Sequence, residues 1–434
     1  MHNISTSTLE ARHEMPSALV ALFAFSAGAI VANIYYAQPI IELIAPDVGL
    51  SAQGASLIVS LTQIGYALGL FFLVPLADLL ENRRLLIVSA LAATASLVGA
   101  SIASHPGAFL LMSLLVGLSS VTVQILIPLA AHLAPGPSRG RVVGTIMGGL
   151  LLGILLARPL SSTIAEHFGW RAVFVAAATM TLATVGVMAA TMPRRVPEHR
   201  ASYGQLLASL KHLFVRHPLL RRRALYQGLL FGAFSLFWTA VPLELSQQHG
   251  LSQVQIGLFA LVGALGAVAA PIAGRLADAG HSQRASLVAM IVAAASFLPG
   301  LWSNDNSVLW LALTGIALDF AVQMNMVLGQ RAVYALDAAS RGRLNALYMT
   351  SIFAGGAAGS AISSLLYSYA GWIGIVATGS GLALVALVSL LAHTHTHTTV
   401  HGPSGDPARG GLGNRHLGRR HAARTASGVP RSCP

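Results

Sequence analysis

Arg158 and Asp319 each lie deep inside a long apolar run, where a charge is most out of place. On insertion scales an Arg or Asp at the centre of a membrane-spanning helix costs roughly 2.5 to 3.5 kcal/mol. A charge retained at that cost points to work on a polar solute or a proton. Arg158 follows Arg141 by 17 residues, and Asp319 precedes Arg331 by 12. At helical rise these separations are about 25 Å and about 18 Å, so the two charges sit at comparable depth. Being opposite in sign, they could pair with each other, with a solute, or alternately with both. Asp319 is the candidate proton carrier, because moving a cation toward or away from a carboxylate changes its affinity for a proton. The competing reading is a static ion pair, or an Arg158 chain that snorkels along its helix.

Further polar residues fall near the same depth. Asp319, Gln323 and Gln330 recur at spacings of four and seven, one stripe of a helix. The first apolar run offers Asn33, Tyr35, Tyr36 and Gln38, the fourth Gln124, and the seventh Gln227 and Trp238. Asn33, Tyr36, Gln124 and Gln323 join the two charges as candidate substrate or coupling residues. Polar side chains also bind helices together in lipid, so each has that second reading.

The elements that must carry these residues are long and apolar. Of 434 residues, 55% are hydrophobic and 9% charged, against about a quarter charged in soluble domains. Twelve apolar blocks occupy 17–41, 54–76, 85–104, 107–134, 142–167, 170–191, 224–245, 254–276, 285–302, 307–330, 343–368 and 371–392. Each is long enough to cross about 30 Å of hydrocarbon as a helix. The expected fold class is an all-α membrane protein with twelve transmembrane helices.

The net charge of +12 does not point to nucleic acid, because the basic residues are distributed loop by loop. Of 26 Lys and Arg, 24 lie in the two tails and the even-numbered connections, and the connection 192–223 holds eight. Basic short loops remain cytoplasmic during insertion, which predicts cytoplasmic termini in an inner membrane. Residues 1–16 do not read as a cleaved signal. The single cysteine, Cys433, excludes a disulfide framework. His393, His395, His397 and His401 read as part of a solvated basic tail, so no metal or other cofactor is expected. With no phosphate-cradling Gly-rich loop and no catalytic constellation within the spans, neither ATP-driven transport nor an enzyme is expected.

The chain also repeats itself. Ser138-Arg-Gly-Arg141 recurs as Ser340-Arg-Gly-Arg343, an offset of 202 that also maps Gly153 onto Gly355 and Gly169-Trp170 onto Gly371-Trp372. The same offset maps Arg158 onto Ser360 and Asp319 back onto Gly117, so both charges are additions to a neutral template. Spans 1–6 and 7–12 are therefore parallel copies. The domains are a tail 1–16, a six-helix bundle 17–191, a basic loop 192–223, a second bundle 224–392 and a disordered basic tail 393–434. A short surface helix is predicted from Tyr203 to Phe214. Small residues at intervals of four, Gly149 to Ser161 and Ser351 to Ser363, predict close helix approach.

Pro75-Leu-Ala-Asp78 with Arg83 and Arg84, Gly274-Arg-Leu-Ala-Asp278, and Gly169-Trp-Arg171 resemble the signatures of the major facilitator superfamily, across about 17–392. Asn33-Ile-Tyr-Tyr-Ala-Gln-Pro39, Gly153-Ile-Leu-Leu-Ala-Arg158 and Leu328-Gly-Gln-Arg331 look like its arabinose-efflux-permease-like and drug/proton antiporter-like bacterial branch. The resemblance implies two pseudo-symmetric bundles, a functional monomer, and a gate in which Asp78 and Arg83, with Asp278, Arg139 and Arg341, latch the halves. It implies alternating-access transport of a small solute, most simply efflux by proton exchange. Uptake or facilitated diffusion is the alternative, and a non-transporting sensor the second alternative.

Overall fold

The computed structural model describes residues 15–194, 196, 202–305, 307–337 and 340–399. The outer parts of the expected tails, 1–14 and 400–434 with His401, lie outside the described residues, as do the side chains from His393 onward. Among the described residues every regular element is helical. Ten helices are long and apolar enough to cross a membrane: Ala52–Asp78, Asn82–Ile102, Pro106–Leu133, Arg139–Phe168, Trp170–Thr191, Pro218–Gln247, Gln253–Asp278, Ser282–Leu301, Val308–Tyr334 and Arg341–Ala392. The last doubles back at Gly371, whose φ of 58° breaks the helix, and so supplies spans 11 and 12. With the shorter apolar helix Ser17–Ala32 as span 1, the fold is that of twelve spans in two bundles. Gly169, with φ of 82°, makes the equivalent turn between spans 5 and 6. Only glycine enters that backbone region without a Cβ penalty.

Span 1 departs from the expected continuous block. Its α-helix stops at Ala32, the next bonds tighten to the i−3 carbonyl, and a 3-10 turn Gln38–Ile40 leads into a short helix Ile41–Asp47. Pro39 has no N–H to continue the ladder. Irregular backbone at membrane depth needs partners from the protein. Here Ser161 Oγ donates to the Tyr36 carbonyl at 2.5 Å and Gln253 Nε2 to the Pro39 carbonyl at 2.6 Å.

Within the first copy, span 1 packs on span 5, span 2 on span 4 and span 3 on span 6; in the second, span 10 packs on spans 7, 8 and 9. The copies meet along span 5 against span 8 and span 2 against span 11. Glycine sets the closest approaches. A Cβ on Gly149 would run into the Ala24 backbone and one on Gly153 into Gly28; in the second copy Gly355 meets Gly228 and Gly359 meets Gly232. The repeat thus places spans 1 and 5, and 7 and 11, backbone to backbone.

The predicted surface helix runs Tyr203–Arg216 and opens with a capping box from Ser202 and Gln205. Leu206, Leu210 and Leu213 form its buried stripe. Tyr203 donates to the Phe72 carbonyl at 2.8 Å, and Arg343 donates to Ser209 at 2.9 Å. This helix is thereby tied to span 2 of one copy and span 11 of the other.

Neighbouring glycines on span 5 give a controlled test. A Cβ on Gly148 meets nothing within 4 Å, so Gly148→Ala should leave the melting temperature unchanged or slightly raised. Gly149→Ala and Gly153→Ala force backbones apart and should each cost about 1–3 kcal/mol, read from thermal or denaturant melts of purified protein. Equal effects from all three would show that close approach does not control stability here.

Candidate functional site

Arg158 and Asp319 do come to one place, where both contact the same third residue. Arg158 is only 6% exposed. Its Nε donates to Gln38 Oε1 at 2.9 Å, and the Gln38 amide donates onward to Thr239 Oγ1 at 3.3 Å. The guanidinium carbon lies 4.6 Å from the Trp238 ring centre and 5.2 Å from that of Tyr35. Trp238 turns its N–H edge to the carboxylate, with Nε1 donating to Asp319 Oδ1 at 2.8 Å. Among the described residues no hydrogen bond or ion pair joins Arg158 to Asp319 directly. The indole contacts both, meeting the cation with its π face and the anion with its N–H.

The seat of Asp319 follows from the repeat. Its counterpart Gly117 packs against the Thr62 and Tyr66 backbone of span 2. Asp319 occupies the corresponding contact with span 8, where added Cβ atoms on Gly263 and Gly266 would collide with its side chain. Two glycines on the facing helix therefore make room for the carboxylate. Over the same stretch, Ala260–Val268, span 8 winds as a 3-10 helix, a length of 3-10 geometry that often marks a hinge.

Beside Arg158 lies a cavity of about 10 Å³, lined by Pro39, Trp238, Val241, Pro242, Leu245, Ile256, Phe259 and Ala260. That is room for about one water molecule. The Nη2 of Arg158 is buried and has no hydrogen-bond partner among the described residues.

The other expected residues are distributed more widely. Asn33 donates to Thr181 on span 6, inside its own bundle, at 3.3 Å. Tyr36 is half-buried and contributes its carbonyl to Ser161. Gln124 donates to the Tyr66 hydroxyl at 3.1 Å, and the Tyr66 ring lies 4.4 Å from that of Phe353 on span 11. Gln323 is half-buried on span 10. Gln330, on the same stripe, bonds Tyr334 and Asn345 at 3.0 Å each. Gln227 accepts from Asn325 at 2.7 Å, within the second bundle.

The contacts that close the two bundles over this site cluster toward the odd-numbered connections. Ser60 donates to the Ala357 carbonyl at 2.8 Å, Ser56 to Ala361 at 3.3 Å, and Gln63 to Ser235 at 2.7 Å. Gln247 donates to Glu42 at 2.6 Å, and the Val254 N–H to Glu166 at 2.5 Å. Burial pushes the Glu42 carboxyl above its ordinary pKa, against hydrogen bonds from Gln247 and Ser246 that lower it. Sequence reading missed this polar seam. Its signal was present: Ser56, Ser60 and Gln63 mark one helical face, as do Ser235 and Thr239.

At the even-numbered connections, the expected gate residues hold contacts within their own bundles. Arg83 donates to the Ala189 carbonyl, Asp278 pairs with Arg331 at 2.5 Å, and Arg341 donates to the Tyr334 carbonyl at 3.2 Å. Asp78 and Arg139 are exposed.

The family profile described as Major Facilitator Superfamily matches residues 20–279 and 223–426. The chain is 42% identical over 378 residues to an uncharacterized transporter, YgaY, of Escherichia coli O157:H7, covering 87% of this chain and 95% of that one. It is 33% identical over 391 residues to a probable transporter, SCO4007, of Streptomyces coelicolor, covering 87% and 90%. Its fold resembles the crystal structure of the nucleoside transporter NupG, with a TM-score of 0.69 at 13% identity, over 86% of this chain and 99% of that one. Repeat, twelve-span architecture and profile agree: the chain belongs to the major facilitator superfamily and is a multi-pass membrane transporter of that type.

Proposed function

We propose that this protein is a proton-coupled secondary transporter of a bacterial inner membrane, moving a small solute by alternating access in the direction of efflux. The observation that carries this reading is the Arg158–Trp238–Asp319 arrangement between the two bundles. Tyr35 and Gln38 complete the solute site with these three, and Asp319 carries the proton. Bundles 17–191 and 224–392 rock about this site in a monomer, joined by the basic loop 192–223. With both termini cytoplasmic, as the loop charges suggest, the sealed end faces outward. Asp78, Arg83, Arg139, Asp278 and Arg341 would latch in the opposite state, where a carboxylate can pair with an Arg or a helix N-terminus of the other bundle. The efflux assignment rests on likeness to the arabinose-efflux-permease-like branch.

A second reading, uptake with a proton, draws support from the unpartnered Nη2 of Arg158. An anion bound there and a proton on Asp319 would neutralise the same pair, and so would travel together. Higher accumulation of a solute in cells lacking the protein favours efflux. Loss of growth on that solute favours uptake. A solute panel run with and without a collapsed proton gradient separates the two.

Asp319→Asn and Arg158→Ala, compared at equal membrane insertion, should lower coupled transport by about tenfold or more, and Asp319→Asn should flatten its pH profile. Wild-type, pH-dependent activity in both variants would remove the pair from the mechanism. Alternating access has its own test. In a Cys433→Ser background, Ser60→Cys with Ala357→Cys should cross-link across the seam on oxidation, stop transport, and regain it on reduction. Full transport by completely cross-linked protein would show that this end does not open.

A further inference from the structure

We infer that the ligand held at Arg158 is a small organic anion, a monocarboxylate carrying a compact apolar or aromatic body. This deepens the solute site proposed above and rests on it.

The donors of the guanidinium decide the class. Nε is taken by Gln38 Oε1, and the rings of Tyr35 and Trp238 lie against the guanidinium carbon. What remains is the in-plane edge that includes Nη2, which is buried and unpartnered on a residue only 6% exposed. A buried donor left unsatisfied costs about 1–3 kcal/mol, and more when charged. A planar carboxylate matches an arginine edge in both charge and geometry. Asp319 does not fill the place, because its Oδ1 accepts from Trp238 Nε1 and, among the described residues, no hydrogen bond or ion pair joins it to the cation.

The walls decide the rest of the molecule. Pro39, Val241, Pro242, Leu245, Ile256 and Phe259 line the cavity next to Arg158. A sugar or other polyol needs several hydrogen-bonding side chains, and this lining supplies the guanidinium and an indole whose N–H is already given to Asp319. A cationic ligand would meet Arg158 with like charge. A carboxylate head with an apolar body satisfies both features. The cavity of about 10 Å³ is smaller than such a ligand, so entry requires the bundles to part, and a compact body requires the least movement.

Purified full-length protein is titrated with benzoate and hexanoate, their neutral isosteres benzamide and hexanamide, and benzylamine as cation. Binding is read by equilibrium dialysis of radiolabelled benzoate and by the shift in melting temperature. The carboxylates should bind and raise the melting temperature, while the amides and the amine should not compete. Arg158→Gln should weaken benzoate binding by about tenfold to a hundredfold. Arg158→Lys, which keeps the charge and loses the planar fork, should fall between, and stands in if the Gln variant does not fold. If benzamide competes as well as benzoate and both depend on Arg158, the site stands and the anionic class is overturned. Benzoate binding that ignores both variants overturns the class and the site together. Displacement of benzoate by sulfate at equal ionic strength overturns the apolar-body requirement, and no binding by either carboxylate overturns the proposal.

Discussion

Hydrocarbon supplies no hydrogen bonds, so a polar atom at membrane depth that goes without a partner carries a cost, and the protein supplies most of the partners. Several unusual features of this chain answer that constraint. Where span 1 abandons the α-helix, its exposed carbonyls at Tyr36 and Pro39 are taken up by Ser161 and Gln253. The buried guanidinium of Arg158 is met by an amide and two aromatic rings. The carboxylate of Asp319 is met by an indole N–H. Each solution uses a neutral group to satisfy a charge or a bare backbone.

Neutral partners also suit an interface that opens in the proposed cycle. A direct buried ion pair is strongly destabilised when one member is removed, by about 3–5 kcal/mol, because an uncompensated charge remains. A neutral hydrogen bond contributes about 0.5–1.5 kcal/mol net. From Arg158, contact with the second bundle passes through Gln38 to Thr239 and through the face of Trp238. Serine and glutamine contacts carry the seam above the site. Halves joined in this way would separate without stripping a charge of its partner, as the proposed rocking motion requires.

The two bundles share a template and differ where chemistry enters. Close glycine approaches between spans 1 and 5 recur between spans 7 and 11, so the scaffold is held by the same backbone contacts twice. At the Gly117 position the second copy carries Asp319 instead. Span 8 accommodates it with Gly263, Gly266 and a 3-10 segment. A bulky polar group thus sits in a contact that is glycine-tight in the first copy, opposite two glycines and a non-α stretch.

By itself the sequence determined the solvent, the span count and the twofold repeat, because apolar length and charge placement are local properties that no tertiary contact can reverse. It also determined that Arg158 and Asp319 are exceptional, since their cost in lipid can be read without knowing their neighbours. The glycine spacing announced close packing for the same reason. Only the tertiary structure decided that Trp238 contacts both charges, that Gln38 rather than Asn33 or Gln124 holds Arg158, and that span 1 unwinds. Which side chain reaches which depends on helix rotation and on Pro39 breaking the ladder, and these are set by packing between segments more than a hundred residues apart.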